Sequence, residues 1–217
     1  MLGVHFDTGL TMQGAVDELV TDAGWKLKML VKTRRFYTDA DLIILYKSHL
    51  LSFLEYRTPA VYHATRDILA KLDRIQTKFL QEAGVSEKEA LMEFNLAPLE
   101  TRRDIAMLGV IHRTAMGRGP RHFRIHFQKQ QDGYIKDPRA ELKGAVVQRS
   151  AFGLVAVYNA LPAKVKASHT VSNFQQRLQD VLKQAAVDGI LEWPKLLSPR
   201  SSLDNIATYS ELLTCLA

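Results

Sequence analysis

Lys28, Lys32 and Arg35 recur at intervals of four and three residues, which sets three cations on one flank of a helix beside its apolar stripe. They suit a phosphate track, and the competing reading is a solvated helix face. Arg102 and Arg103 open a second basic stretch, and Arg102 shares a helical face with Arg113. Ala106 and Gly109 lie between these two arginines as a strip of small residues that another backbone can approach closely. A glycine inside a helix costs about 1 kcal/mol relative to alanine, so Gly109 implies a packing reason, with helix-on-helix contact favoured over nucleic acid. Arg118, Arg121 and Arg124 follow in a loop or short helix and extend the patch. These nine residues form the expected nucleic-acid-binding set.

Other chemistries fit less well. Asp39 and Asp41 are the nearest approach to a paired-carboxylate site, but they fall at a helix start, where acids complement the helix dipole. His122 and His126 have the spacing of a helical metal pair, yet no third ligand is evident and arginines surround them, so no metal site is expected. Residues 117–120, Gly-Arg-Gly-Pro, lack the lysine and the spacing of a phosphate-binding loop and read as a helix stop. Trp25, Tyr46, Tyr56 and Phe79 are possible stacking platforms for bases, although aromatic residues at helical spacing usually pack in a core. His112 and Ser150 have no evident triad partners, so no catalytic residue is assigned.

The elements that carry these residues read as helix after helix. Thr11 suits the cap of a helix whose stripe runs through Val16, Leu19, Val20, Ala23, Leu27, Leu30 and Val31. Thr38 with Asp41 and Ser86 with Glu89 have the spacing of capping boxes. Residues 42–54 are apolar on almost every side, as expected of a helix surrounded by others. Pro59 then interrupts, and a stripe through Ile68, Leu69, Leu72, Ile75 and Phe79 ends at Gly84, suited to a C-terminal cap. Three helices with short connections predict an antiparallel bundle.

Pro98 suits a first helical turn, and the stripe Ile105, Leu108, Ile111, Ala115 should end at Gly117. Residues 128–143 are polar and turn-rich and read as a linker or loop. Residues 149–161 should be helical up to the residue before Pro162. Further stripes run through Val171, Phe174, Leu178, Val181 and Leu182, and through Leu203, Ile206, Leu213 and Leu216. At the other end, Leu2 to Asp7 reads as a strand with nothing before it to pair with. The expected class is mainly α, a thumb-like helical bundle with a short N-terminal strand stub and a second helical C-terminal region. The expected segments are 1–10, 11–96, 97–127 (basic), 128–147 (linker) and 148–217.

Composition bounds the function. The 217 residues are 47 % hydrophobic and 24 % charged, as in a globular chain. The single cysteine, Cys215, excludes an intrachain disulfide and a paired-cysteine metal or redox site. The apolar run at 42–54 is too short to span a bilayer, and the N-terminus lacks the pattern of a secretory signal. An intracellular chain, cytoplasmic or nuclear, with no membrane partner is expected. Net charge is +6, and its excess sits in the middle: residues 98–130 hold 7 Lys+Arg against 2 Asp+Glu, whereas residues 1–97 hold 12 against 13. Such a cluster raises the local concentration of a polyanion.

Several short segments in order carry a family resemblance. The start Leu2-Gly3-Val4 is followed by a basic helix, then by Leu45-Tyr46-Lys47-Ser48, Leu54-Glu55-Tyr56 and Leu72-Asp73-Arg74-Ile75-Gln76. This series resembles the region just after the catalytic palm of the reverse transcriptase of non-LTR (LINE-type) retrotransposons. Asn95-Leu96-Ala97-Pro98-Leu99-Glu100-Thr101-Arg102-Arg103, Arg149-Ser150-Ala151-Phe152 and Tyr158-Asn159-Ala160-Leu161-Pro162 look like segments these polyproteins carry after the thumb. Tyr stands at 158 where tryptophan is common in these elements. The likeness covers roughly residues 2–183. It implies RNA-directed DNA synthesis in the family, with paired aspartates on a palm hairpin holding two metal ions. The hairpin would lie upstream of Leu2, so the resemblance implies a thumb and extension that contact template and primer, RNA, DNA or their hybrid, without polymerase activity alone. No cofactor is expected in this chain, since the divalent metal would belong to the missing palm. Two alternatives stand beside this one: a freestanding helical nucleic-acid-binding module, and a non-catalytic interaction or relic protein.

Overall fold

The structure, a computed structural model, describes residues 3–130 and 133–199. The chain is mainly α-helical and divides into two compact units, residues 1–103 and 104–217, with the division inside one helix.

In the first unit the helices are α1 (Gln13–Thr33), α2 (Asp39–Leu45), α3 (Ser52–Tyr56), α4 (Thr58–Val61), α5 (Arg66–Ala83) and α6 (Glu87–Phe94), with the start of α7 (Leu99–Ala115). The stripe of α1 buries Ala15, Val16, Leu19, Ala23 and Leu27 and packs against α5, which buries Leu69, Leu72, Ile75, Phe79 and Leu80. Each of these Val, Leu, Ile and Phe side chains contributes about 1.5–3 kcal/mol relative to exposure. Both expected capping boxes are present: Thr38 and Asp41 open α2, and Ser86 and Glu89 open α6. Gly84 adopts φ 71° and ends α5, a conformation that costs a side-chain-bearing residue more than glycine.

Three local expectations are corrected. The N-terminal stub is not a strand: residues 3–7 have no regular structure, and no sheet occurs among the described residues, since a ladder needs a second backbone. Residue 7 serves the next helix instead. The Asp7 carboxylate accepts from the Thr11 amide at 2.8 Å and the Met12 amide at 2.7 Å, and these bonds hold its pKa below the ordinary value. Helix α1 therefore starts at Gln13 with Met12, not Thr11, at the cap. The segment 42–54 is not covered on every side, because Ile44 is 63 % exposed. A π-helical turn, Tyr46–Leu51, joins α2 to α3, and Ser48 and Ser52 hydroxyls donate to carbonyls at 44, 45 and 48 along it.

The second unit continues α7 and adds α8 (Arg121–Arg124), α9 (Ala145–Arg149), α10 (Val155–Ala160), α11 (Ala163–Lys166) and α12 (Val171–Val187). Gly117, at φ 76°, follows the end of α7. The described residues of 128–143 stay largely irregular, but an antiparallel bridge pairs Lys129 with Ile135, and Ile135 is buried. Asn159 fixes that turn from both sides, accepting from the Ile135 amide at 3.0 Å and donating to its carbonyl at 2.8 Å. The expected single helix over 149–161 is broken: Ser150 is extended and its hydroxyl accepts from the Phe152 amide. A 3₁₀ turn, Ala151–Leu154, then leads into α10. The stripe at 203–216, and Cys215 with it, lie outside the described residues.

Candidate nucleic-acid interface

The basic flank of α1 lies opposite its buried stripe. Lys28 and Lys32 are exposed, and Arg35 falls in the 3₁₀ turn Arg34–Phe36 that follows α1 rather than on the helix itself. The Arg34 amide donates to the Val31 carbonyl, the tighter i to i+3 pattern of a helix end. Among the described residues no carboxylate pairs with Lys28, Lys32 or Arg35. Two of these cations sit over aromatic rings: the Lys28 ammonium is 5.5 Å from the Trp25 centroid, and the Arg35 guanidinium is 4.8 Å from the Phe36 centroid. Trp25 is 63 % exposed and Phe36 69 % exposed, with Met29 and Tyr37 also open to solvent.

Of the four aromatic residues weighed as stacking platforms, Tyr46 and Phe79 are core, stacked on each other at 4.1 Å with an 11° interplanar angle. Trp25 and Tyr56 are exposed. Phe36 and Tyr37 escaped the sequence reading, although their place between the apolar stripe of α1 and the Thr38 cap marks them as outside any buried periodicity.

The start of α7 departs most from expectation. Arg103 is 2 % exposed, and its two terminal nitrogens donate to the two carboxylate oxygens of Asp73 at 2.7 and 2.9 Å. Arg103 is thus spent on a fixed internal partner and is not a surface phosphate contact. Arg102 donates to Glu55 at 2.5 Å and keeps only 17 % side-chain exposure. Two neutral links complete a polar network around them. The Tyr46 hydroxyl donates to the Gln76 amide oxygen at 3.3 Å, and the Gln76 amide nitrogen donates to the Ala97 carbonyl at 2.9 Å. Burial raises the Tyr46 pKa above its ordinary value, so it stays a donor. The segments 45–48, 54–56, 72–76 and 95–103 therefore meet through Tyr46, Glu55, Asp73, Gln76, Arg102 and Arg103, and internal structure accounts for those six residues.

In the second unit, Gly109 is buried on α7, and an added Cβ there would lie 2.7 Å from the Gln175 amide nitrogen and 3.2 Å from a Val171 methyl. Gly109 thus packs against α12, the helix-on-helix contact favoured above. Arg113 is exposed and donates from Nε to the Arg118 carbonyl, Arg124 donates to the Gly119 carbonyl, and Arg118 donates to the His169 carbonyl. Arg121 is exposed in the single turn α8. Among the described residues no carboxylate neutralises these four arginines.

The remaining candidates are structural. His112 is fully buried. Its Nε2 lies 2.9 Å from the Ser168 carbonyl, which only accepts, so Nε2 carries the proton and Nδ1 accepts from the Tyr158 hydroxyl at 3.1 Å. The ring stacks on Phe174 at 4.1 Å. Burial lowers the His112 pKa, and burial raises that of Tyr158 to about 12. Ser150 caps a turn and donates to the Val147 carbonyl. His122 and His126 contact Phe123 and Phe152, and among the described residues no group of three or more His, Cys, Asp or Glu gathers as a metal site. No described helix is long and apolar enough to cross a membrane.

No protein-family model, curated protein or solved structure matches this chain. The geometry of the site carries the functional argument.

Proposed function

We propose that the chain is a helical nucleic-acid-contacting module, a thumb with its extension of the kind found in non-LTR retrotransposon reverse transcriptases, which holds template and primer for a palm that performs the chemistry. The observation that carries this reading is the exposed end of α1, where Lys28, Lys32 and Arg35 stand without a carboxylate partner among the described residues. A cation neutralised by an internal acid gains little from a phosphate, whereas an unpaired one releases a counterion when it meets one. Arg113, Arg118, Arg121 and Arg124 supply a second set with the same property. Catalysis is not assigned to this chain, because its sequence contains no adjacent aspartate pair. The module acts inside the cell, where its template is.

A freestanding nucleic-acid-binding module is the second reading, favoured by the way the first unit closes a hydrophobic core from its own residues, Met12 through Leu99. Either reading is tested by titrating the chain with an RNA–DNA hybrid and with a single strand over a range of salt. Affinity for either ligand that falls steeply with salt supports both readings, and binding that is absent or indifferent to salt with both ligands refutes both. Adding the chain to a polymerase palm and measuring primer retention separates them, since only a thumb increases it.

A further inference from the structure

We infer that the end of α1 takes an unpaired nucleic-acid strand, with bases stacking on Trp25 and Phe36 while Lys28, Lys32 and Arg35 meet its phosphates. This assignment rests on the nucleic-acid function proposed above and specifies the form of the ligand. A duplex offers such a surface mainly phosphates, because its bases are paired and stacked within the helix. Aromatic rings add nothing to a purely electrostatic track. Here rings and cations are interleaved in sequence and in space: Trp25, Lys28, Met29 and Lys32 follow helical spacing on the solvent side of α1, and Arg35 and Phe36 continue it in the next turn. Both rings remain more than half exposed and so are open to a stacking partner.

The dimensions suit a strand. From Trp25 to Phe36 the helical rise gives a span of about 17 Å, the length of about five stacked nucleotides. Charge complementarity selects the occupant. A protein surface covering exposed Trp and Phe would also have to desolvate or pair three cations, whereas a single strand supplies π-faces and phosphates in alternation. Lys28 and Arg35 lie over the rings in this structure, so a base stacking on that face displaces each cation, leaving it beside the ring to meet the strand's phosphate.

Fluorescence anisotropy with three labelled probes tests this: an oligodeoxythymidine strand, an abasic strand of equal length and charge, and a blunt RNA–DNA hybrid. The base-bearing strand should bind about 5-fold or more tighter than the abasic one. Trp25→Ala and Phe36→Ala should each remove much of that difference without changing the salt slope, and Trp25→Tyr should restore most of it. Circular dichroism of each variant checks that the helices persist, and the wild-type comparison of the three probes needs no variant. Equal, salt-sensitive affinity for the base-bearing and abasic strands would overturn the stacking assignment and leave the nucleic-acid function standing. Absence of salt-sensitive binding to all three probes would overturn both.

Discussion

Replacing Arg103 separates a structural cation from a nucleic-acid contact. Its guanidinium is 2 % exposed and makes two hydrogen bonds to Asp73, whose side chain is 28 % exposed. Removing one partner of a fully buried pair costs about 3–5 kcal/mol, because the other is left charged and unpaired. Asp73 retains some access to water, which lowers the expected cost of Arg103→Ala to about 2–4 kcal/mol. With a urea dependence of about 2 kcal/mol per molar for a unit of this size, the midpoint should fall by about 1–2 M. Arg103→Lys should recover only part, since an ammonium cannot reproduce the bidentate geometry. Asp73→Ala combined with Arg103→Ala should cost less than the sum of the two single changes. Urea titration at neutral pH reads all four variants, and nucleic-acid affinity is measured on any that fold. A midpoint unchanged by Arg103→Ala, together with a reduced salt slope of binding, would refute the structural role and return Arg103 to the surface track.

Three further outcomes are expected. The His112 pKa is depressed by burial, so between its folded value and the ordinary 6.5 the unfolded chain binds the proton and the folded one does not. Stability is then full above about pH 6.5 and is lost as pH falls below it, at up to about 1.4 kcal/mol per pH unit; urea midpoints at pH 7.5 and 5.5 should show this loss, and His112→Gln should lack this component. Tyr158→Phe leaves the His112 Nδ1 without its donor and should cost about 1–2 kcal/mol, read by thermal melting. Gly153→Ala would drive a Cβ into the backbone carbonyl of Gln148, and moving backbone in a packed unit should cost about 2 kcal/mol or more, whereas Gly14→Ala, with open space around it, should be neutral or stabilising in the same assay.

Local signals in the sequence carried well where they are satisfied locally. The capping boxes at Thr38 and Ser86 and the stop at Gly84 need only residues within one turn, and each is read directly from spacing. The helical stripes were equally legible, because burial follows their period. Long-range pairing was not. Arg102 and Arg103 look alike in sequence, yet one meets Glu55 and the other Asp73, partners 47 and 30 residues away. Charge alone does not distinguish a solvated cation from one held by a distant acid. The bridge from Lys129 to Ile135 was hidden for the same reason, since Asn159 imposes the turn from outside its own segment; the break at Ser150 is instead local, made by its hydroxyl accepting from the Phe152 amide. At the end of α1, the three cations were legible as a set and Trp25 as a candidate platform, but burial alone separates exposed Trp25 from core Tyr46 and Phe79 and adds Phe36 to it.

The proposed function stands most directly on the salt dependence of nucleic-acid binding by the wild-type chain and by the combined variant Lys28→Ala, Lys32→Ala, Arg35→Ala. Each cation that meets a phosphate contributes about 0.7–0.9 to the slope of log affinity against log salt, so the triple variant should bind with a slope shallower by about 2–3. An unchanged slope, with the variant folded, would contradict the assignment of this face of α1 to nucleic acid.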